Sequence, residues 1–403
     1  MDYACRNMKR ASLLFAFAFI LSACGGAASA PSAAPSSAPP ASAAAKPASA
    51  PASAPAASAK PAASAPASAN AAAKPDASAS AAPAASGLTK VTYGALSFSL
   101  SDAGIILAQE KGWFKDQGID LDLQPFDSGA RMVPPLGANQ LDAGGGAPSA
   151  GLNSAVARDV KVLIVADKGK NAPGRSFTAM IVRKDLVDSG KVKTPADFKG
   201  MKIALTSTAI PHEMSLAAIL KSGGLTLKDV DALPLAFPDQ VKALANKSID
   251  ASVTTEPFIQ DILAKDVGVV FKRMDEFIPN QQTAVVMFSP KFASNTDLAT
   301  RWMVAYVKGV RMFNDAFTKK IPAARDEAVD LLVKRTDLKD KAGYDKAVMP
   351  GIDPDGKLNV DDLKAQQDFY IAQGEQKDRI DVEKTVDASL TEAAVKTLGG
   401  PYK

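Results

Sequence analysis

Side chains able to do covalent or metal chemistry are scarce in this sequence. His212 is the single histidine, and the two cysteines, Cys5 and Cys24, both lie near the start of the chain. Thiol catalysis, a disulfide framework and a zinc centre, which needs clustered His, Cys or carboxylate ligands, are therefore not expected. Gly144-Gly-Gly-Ala-Pro-Ser149 resembles a dinucleotide loop only in part, because Ser149 stands where the third glycine belongs and Pro148 intrudes. No GxxxxGK[ST] or GxSxG motif occurs. Asp353-Pro-Asp355-Gly-Lys-Leu-Asn359 starts like a calcium loop but lacks its glycine and closing glutamate, so it reads as a turn. No cofactor is implied, and the chain does not read as an enzyme.

What remains is a set of polar residues with a common placement. Ser99, Ser101 and Asp102 follow one apolar segment and Arg131 follows a second. Gly145, Gly146 and Ser149 follow a third; Thr206, Ser207 and Thr208 follow a fourth, and Glu256 follows a fifth. Each group stands where a strand ends and a helix begins. The carboxyl ends of strands in an open α/β sheet are where ligands bind, and free N–H groups at helix starts favour polar or anionic groups. The competing reading of such Ser, Thr and Asp residues is helix capping. Arg131 is the side chain suited to pairing a carboxylate or sulfonate, whereas Asp102 and Glu256 would repel an anion and suit an amine or heterocycle. His212, just after Pro211, reads as surface decoration or a ligand contact, and Trp113 as packing at a lobe edge.

The elements that must position these groups alternate. Period-two or apolar runs at 91–98, 119–126, 141–143 and 160–165 are separated by helical patterns at 102–117, about 128–139 and 147–157. A second block starts at 202–205 and continues with strands at 233–237, 251–255 and 267–271, interleaved with helices near 211–222, 239–246 and 257–265. Strand-like runs at 177–183 and 283–289 join the blocks. Such alternation predicts βαβ units and parallel sheets. Leu298, Trp302, Tyr306, Val310, Phe313 and Phe317 recur every three or four residues and define one long helix with a core face. The expected fold is α/β with two lobes: 88–180 with 282–403 as lobe 1, and 181–281 as lobe 2. Hinges are expected near 177–180 and 282–285.

Composition separates this folded part from what precedes it. Residues 25–86 contain 31 Ala, 13 Ser and 11 Pro and no Val, Ile, Leu, Met or aromatic residue, so no core can form there. Prolines also interrupt any helix, and 24–87 is expected to be a disordered tether. Six of the 47 basic and two of the 43 acidic side chains fall before residue 87, leaving 41 of each sign in the folded part. That balance argues against a nucleic-acid partner. Arg6, Lys9 and Arg10 precede an apolar run of about 13 residues, the pattern of a signal peptide over 1–23. The run ends in Leu21-Ser-Ala-Cys24, which resembles the lipobox of bacterial lipoproteins. The resemblance implies lipidation of Cys24 and an extracytoplasmic domain tethered to the cell membrane.

Several segments together resemble the solute-binding proteins of ABC importers in the nitrate, sulfonate and taurine class. They are Glu110-Lys-Gly-Trp-Phe-Lys-Asp-Gln-Gly-Ile-Asp-Leu-Asp-Leu123, Phe126-Asp-Ser-Gly129, Leu141-Asp-Ala-Gly-Gly-Gly-Ala-Pro148, Val182-Arg-Lys-Asp185, Asp197-Phe-Lys-Gly-Met-Lys-Ile-Ala204 and Ile249-Asp-Ala-Ser-Val-Thr-Thr-Glu-Pro-Phe258. The resemblance covers roughly residues 89–310. It implies a periplasmic-binding-protein type II fold, two hinged lobes closing on one small molecule, an ABC permease as partner and a monomeric state. A thiamine-pyrimidine synthase shares this fold but needs a cysteine-rich iron-binding motif and histidine, whereas this chain has no such motif and the single His212. A sensory lipoprotein that binds ligand without transport is the other alternative.

Overall fold

The computed structural model describes residues 87–96 and 99–403. The signal segment, Cys24 and the tether lie outside the described residues, as do Ser97 and Phe98 at the end of the first expected strand.

Ten strands form two sheets of five. They are β1 (Thr89–Ala95), β2 (Ile119–Pro125), β3 (Ala143–Gly146), β4 (Leu163–Asn171), β5 (Thr178–Arg183), β6 (Lys202–Leu205), β7 (Asp231–Pro234), β8 (Ala251–Thr255), β9 (Gly268–Arg273) and β10 (Gln281–Phe288). The first sheet has the order β2-β1-β3-β10-β4 and the second β7-β6-β8-β5-β9. Neither sheet is all parallel, as simple βαβ repetition would make it. β10 runs antiparallel to both β3 and β4, and β5 runs antiparallel to both β8 and β9. These two are the strands that arrive from the opposite lobe. Each comes straight across the gap instead of through a helical crossover, so it enters its sheet in the reverse direction. The crossings run through residues 172–177 and 274–280.

Three local expectations shift. The helix expected over 102–117 breaks into Ala103–Glu110 and Trp113–Asp116, because Gly112 between them adopts φ +74°. The strand expected over 141–143 instead runs over Ala143–Gly146 as β3, buried throughout. The strand expected over 160–165 runs on to Asn171, carrying Asp167 and Lys168 into the interior.

The first lobe's core is built around the helix Thr296–Phe317, which buries Leu298, Trp302, Tyr306, Val310, Phe313 and Phe317. The Trp302 ring lies 5.8 Å from Tyr93, 5.6 Å from Tyr306 and 5.1 Å from Phe288, joining helix to sheet. Trp113 sits at the edge of this lobe beneath Lys308 Nζ, 4.7 Å from the ring centre. The second lobe buries Met180, Phe198, Leu216 and Val253 on one face of its sheet and Phe237, Phe258 and Ile262 on the other.

Candidate functional site

The loops leaving β1 and β3 carry the first half of the site. The turn Leu100–Asp102 delivers Asp102 to the interior, where its Oδ1 lies 3.0 Å from Lys168 Nζ on β4. Lys168 also donates to Ser101 Oγ at 2.9 Å, while the Tyr93 hydroxyl and the Leu96 N–H donate to the Asp102 carboxylate at 3.3 and 3.2 Å. All four side chains that converge here are buried. Burial pushes the Asp102 carboxyl up and the Lys168 amine down, and each charge opposes the shift of the other. The pair is thus a buried ion pair, with Ser101 bonded to the amine and Tyr93 and Leu96 to the carboxylate.

Two glycines are explained by this packing. A Cβ on Gly145 would sit 1.9 Å from the Tyr93 hydroxyl and 2.4 Å from Lys168 Cε, so only glycine admits the lysine. A Cβ on Gly146 would lie 2.4 Å from Gly129 Cα, where β3 touches the start of the helix Gly129–Gly137. Ser99 accepts from the Ser101 N–H at 3.4 Å, and Ser149 accepts from the Leu152 N–H at 3.2 Å as the cap of the helix Ala150–Val156.

The loops leaving β6 and β8 carry the second half, and backbone hydrogen bonds hold the halves together. Leu100 N–H donates to the Glu256 carbonyl at 3.1 Å, and Ala150 N–H to the Ala209 carbonyl at 3.0 Å. The second bond occupies the first free donor of a helix, the position expected for a ligand group. Glu256 is buried. Its Oε1 accepts from Gln260 Nε2 at 3.1 Å and Val348 N–H at 3.3 Å, with Arg273 Nη1 3.6 Å away, while Oε2 is buried without a partner among the described residues. Burial raises this carboxyl, against the lowering effect of Gln260 and Arg273. Thr206 and Ser207 are half-buried and Thr208 is exposed, with Ser207 Oγ donating to the Thr208 carbonyl at 3.1 Å.

His212 is not on the surface. It is buried beside Phe237, edge to face at 6.2 Å, and neither ring nitrogen has a partner among the described residues. Burial holds its pKa down at about 4, so the imidazole is neutral at pH 7. Arg131 stands outside the cluster: its side chain is 73% exposed and pairs with Asp127 at 3.7 Å.

The geometry therefore joins Ser99, Ser101, Asp102 and Gly145 to Lys168 and Tyr93, and brings Glu256 and the 206–209 loop against them from the other lobe. Lys168 went unread in the sequence because a single lysine next to an aspartate looks like a solvated strand end. The signal that could have found it is three adjacent glycines, Gly144–Gly146, which leave room for a long side chain. A groove of about 740 Å³ lined by Val165, Leu358, Thr391 and Val395 shares none of these residues, and its lining is mostly apolar.

Two α/β lobes linked by two crossings, with polar loops from both sheets meeting between them, define the periplasmic-binding-protein class of fold. The NMT1/THI5 like family model matches residues 100–315, more than half of the chain, and the chain belongs to that family. Among solved structures, the alkanesulfonate-binding protein SsuA of Xanthomonas axonopodis pv. citri, bound to MOPS, aligns with a TM-score of 0.61 at 17% identity, covering 76% of this chain and 100% of that one. The periplasmic nitrate-binding protein NrtA of Synechocystis PCC 6803 aligns at 0.62 and 14% identity, covering 77% and 89%. The desulfurization enzyme DSZB shares the fold at 0.53 and 15% identity, covering 77% and 99%.

Proposed function

We propose that this protein is an extracytoplasmic solute-binding protein, anchored to the membrane through a lipidated Cys24, that captures one small solute between its lobes and delivers it unchanged to an ABC permease. It acts as a monomer. The solute is an oxyanion or small organic molecule, such as nitrate, a sulfonate, taurine or a pyrimidine. The observation that carries the reading is the pair of interlobe hydrogen bonds, Leu100 to Glu256 and Ala150 to Ala209, which face the polar loops of the two sheets towards each other. Ligand contacts are assigned to Ser101, Asp102, Thr206, Ser207, Thr208 and Glu256, with Lys168 and His212 added to them. Binding shifts the population from open to closed lobes by bridging them.

The test is a thermal-shift screen of the purified chain against nitrate, alkanesulfonates, taurine and pyrimidines. At least one should raise Tm, and Thr208→Trp, at an exposed position, should abolish the shift while leaving the Tm of the free protein intact. Absence of stabilisation by every compound sinks the reading. A desulfurization-type enzyme is the competing reading, favoured by the fold shared with DSZB. Against it, residues 87–403 contain no cysteine, and product formation from an aryl sulfinate would be needed to revive it. A sensory lipoprotein predicts the same cleft; unimpaired solute uptake in cells lacking this protein would favour it over transport. Mass spectrometry of the mature N-terminus tests the anchor.

A further inference from the structure

Buried polar atoms left without partners gather in one part of the molecule. Six of the eight such side-chain atoms among the described residues belong to the second lobe: His212 Nδ1 and Nε2, Gln240 Oε1, Ser252 Oγ, Thr254 Oγ1 and Glu256 Oε2. All five residues lie on β8 or on the segments that follow β6, β7 and β8. Val253 is in the core with Met180 and Leu216 on one face of the sheet, so strand alternation turns Ser252 and Thr254 to the other face, which Phe237 and Phe258 cover. Phe237 and Phe258 stack with ring centres 5.4 Å apart, and His212 stands edge-on to Phe237 at 6.2 Å. Gln240, one turn after Phe237, donates Nε2 to the Leu235 carbonyl at 2.9 Å and leaves Oε1 without a partner. The group lies behind the seam of the lobes. His212 follows Ala209 and Thr254 precedes Glu256 by a few residues, and the carbonyls of Ala209 and Glu256 accept the Ala150 and Leu100 N–H groups of the first lobe.

These atoms offer both hydrogen-bonding polarities and no positive charge. A neutral imidazole has one donor and one acceptor nitrogen, a hydroxyl is both, and Gln240 Oε1 accepts. The cations nearby are already committed: Lys168 lies 3.0 Å from Asp102, and Arg273 donates to the Ser176 carbonyl at 3.1 Å and stands 3.6 Å from Glu256. Nor do the helix starts supply an anion site. Pro211 and Pro238 occupy the first turns of the helices Pro211–Ser222 and Phe237–Ala245, and Pro257 caps the helix Phe258–Ala264, which removes backbone donors that an anion would use. The N–H groups of Glu213, Asp239 and Gln260 turn back to the carbonyls of Ile210, Ala236 and Pro257. An oxyanion here would meet the oxygens of Gln240 and Glu256 with no uncommitted cation to answer it.

We propose that the second lobe selects an uncharged solute of the amide or cyclic-ureide class, small, flat and carrying both N–H donors and a carbonyl acceptor, and rejects oxyanions. The inference deepens the solute-binding role proposed above and rests on it. The solute's N–H groups answer Gln240 Oε1 and Glu256 Oε2, and its carbonyl accepts from the Thr254 hydroxyl and the protonated ring nitrogen of His212. Specificity follows because a site built to hydrogen-bond its ligand penalises any analogue that leaves its buried polar groups unpaired.

Isothermal titration of the full chain with hydantoin, uracil and pyrrolidinone, and separately with nitrate and ethanesulfonate, reads the class directly. At least one neutral compound should bind, and neither anion should. Thr254→Val keeps the side-chain shape and removes a hydroxyl that has no partner in the fold. The unfolding midpoint of the solute-free variant should therefore hold or rise, while Kd for the neutral solute weakens roughly three- to tenfold. His212→Leu should weaken the same Kd and gives an independent reading from another element. Binding of either anion overturns the assignment but leaves solute capture standing. An unchanged Kd in both variants also overturns it, and a lowered midpoint in Thr254→Val would then show the hydroxyl serving the fold. Silence from all five compounds overturns it together with the solute-binding reading.

Discussion

At the scale of single residues, the decisive group is Lys168. Its amine is fully buried, and its stability there depends on Asp102 at 3.0 Å and Ser101 at 2.9 Å. Removing one member of a buried ion pair leaves the other uncompensated, a loss of about 3–5 kcal/mol, whereas replacing both is nearly neutral. Lys168→Met should therefore lower unfolding stability by roughly that amount in urea titrations, and Lys168→Met with Asp102→Leu should recover most of it. No recovery in the double variant would mean that the hydrogen bonds of Tyr93 and Leu96, not the ion pair, hold the turn. The same residues mark what could be read in advance. Asp102 and Ser101 were legible from their place after a strand; Lys168 was not, because its meaning depends on β4 lying beside that turn.

At the scale of elements, strand–helix boundaries were legible where apolar period and cap residues agreed, and illegible where a strand carried charge or glycine. β3 is all small residues, and its strand character comes from pairing with β1 and β10 rather than from propensity. The cap reading and the ligand reading of Ser149 can be separated. Its oxygen accepts from Leu152 N–H at 3.2 Å, so Ser149→Ala should destabilise the chain by about 1 kcal/mol. If Ser149 acts as a cap alone, any solute-induced rise in Tm found by the screen persists at full size in the variant. Loss of that rise would make the hydroxyl a ligand contact.

At the scale of the whole molecule, the relation between the lobes is fixed at the crossings. Gln281, at the start of β10, donates to the Pro211 carbonyl at 2.9 Å and accepts from Ser215 at 2.7 Å and from Asn171 at 3.4 Å. Asn171 in turn accepts from Ser176 at 3.0 Å and Thr178 at 2.8 Å. Both crossings are thereby tied to the first turn of the helix that carries His212 and Glu213. Gln281→Ala removes these partners from buried groups, at a cost of about 1–3 kcal/mol. It should also expand the solute-free chain in small-angle scattering; an unchanged radius of gyration would mean that the hinge is set by the backbone alone.

The sequence by itself determined the division into an Ala/Ser/Pro stretch over 25–86 without core-forming residues and a charge-balanced α/β part, the two βαβ blocks, the long core helix and the scarcity of reactive side chains. Those properties follow from composition and periodicity, which act locally along the chain. Tertiary structure alone decided the antiparallel entry of β5 and β10, the burial of Lys168 and His212 and the exclusion of Arg131. Each of these depends on which residues distant in sequence share a water-free space. In such a space a charge is held beside a partner, as Lys168 is beside Asp102, whereas at the surface water supplies one.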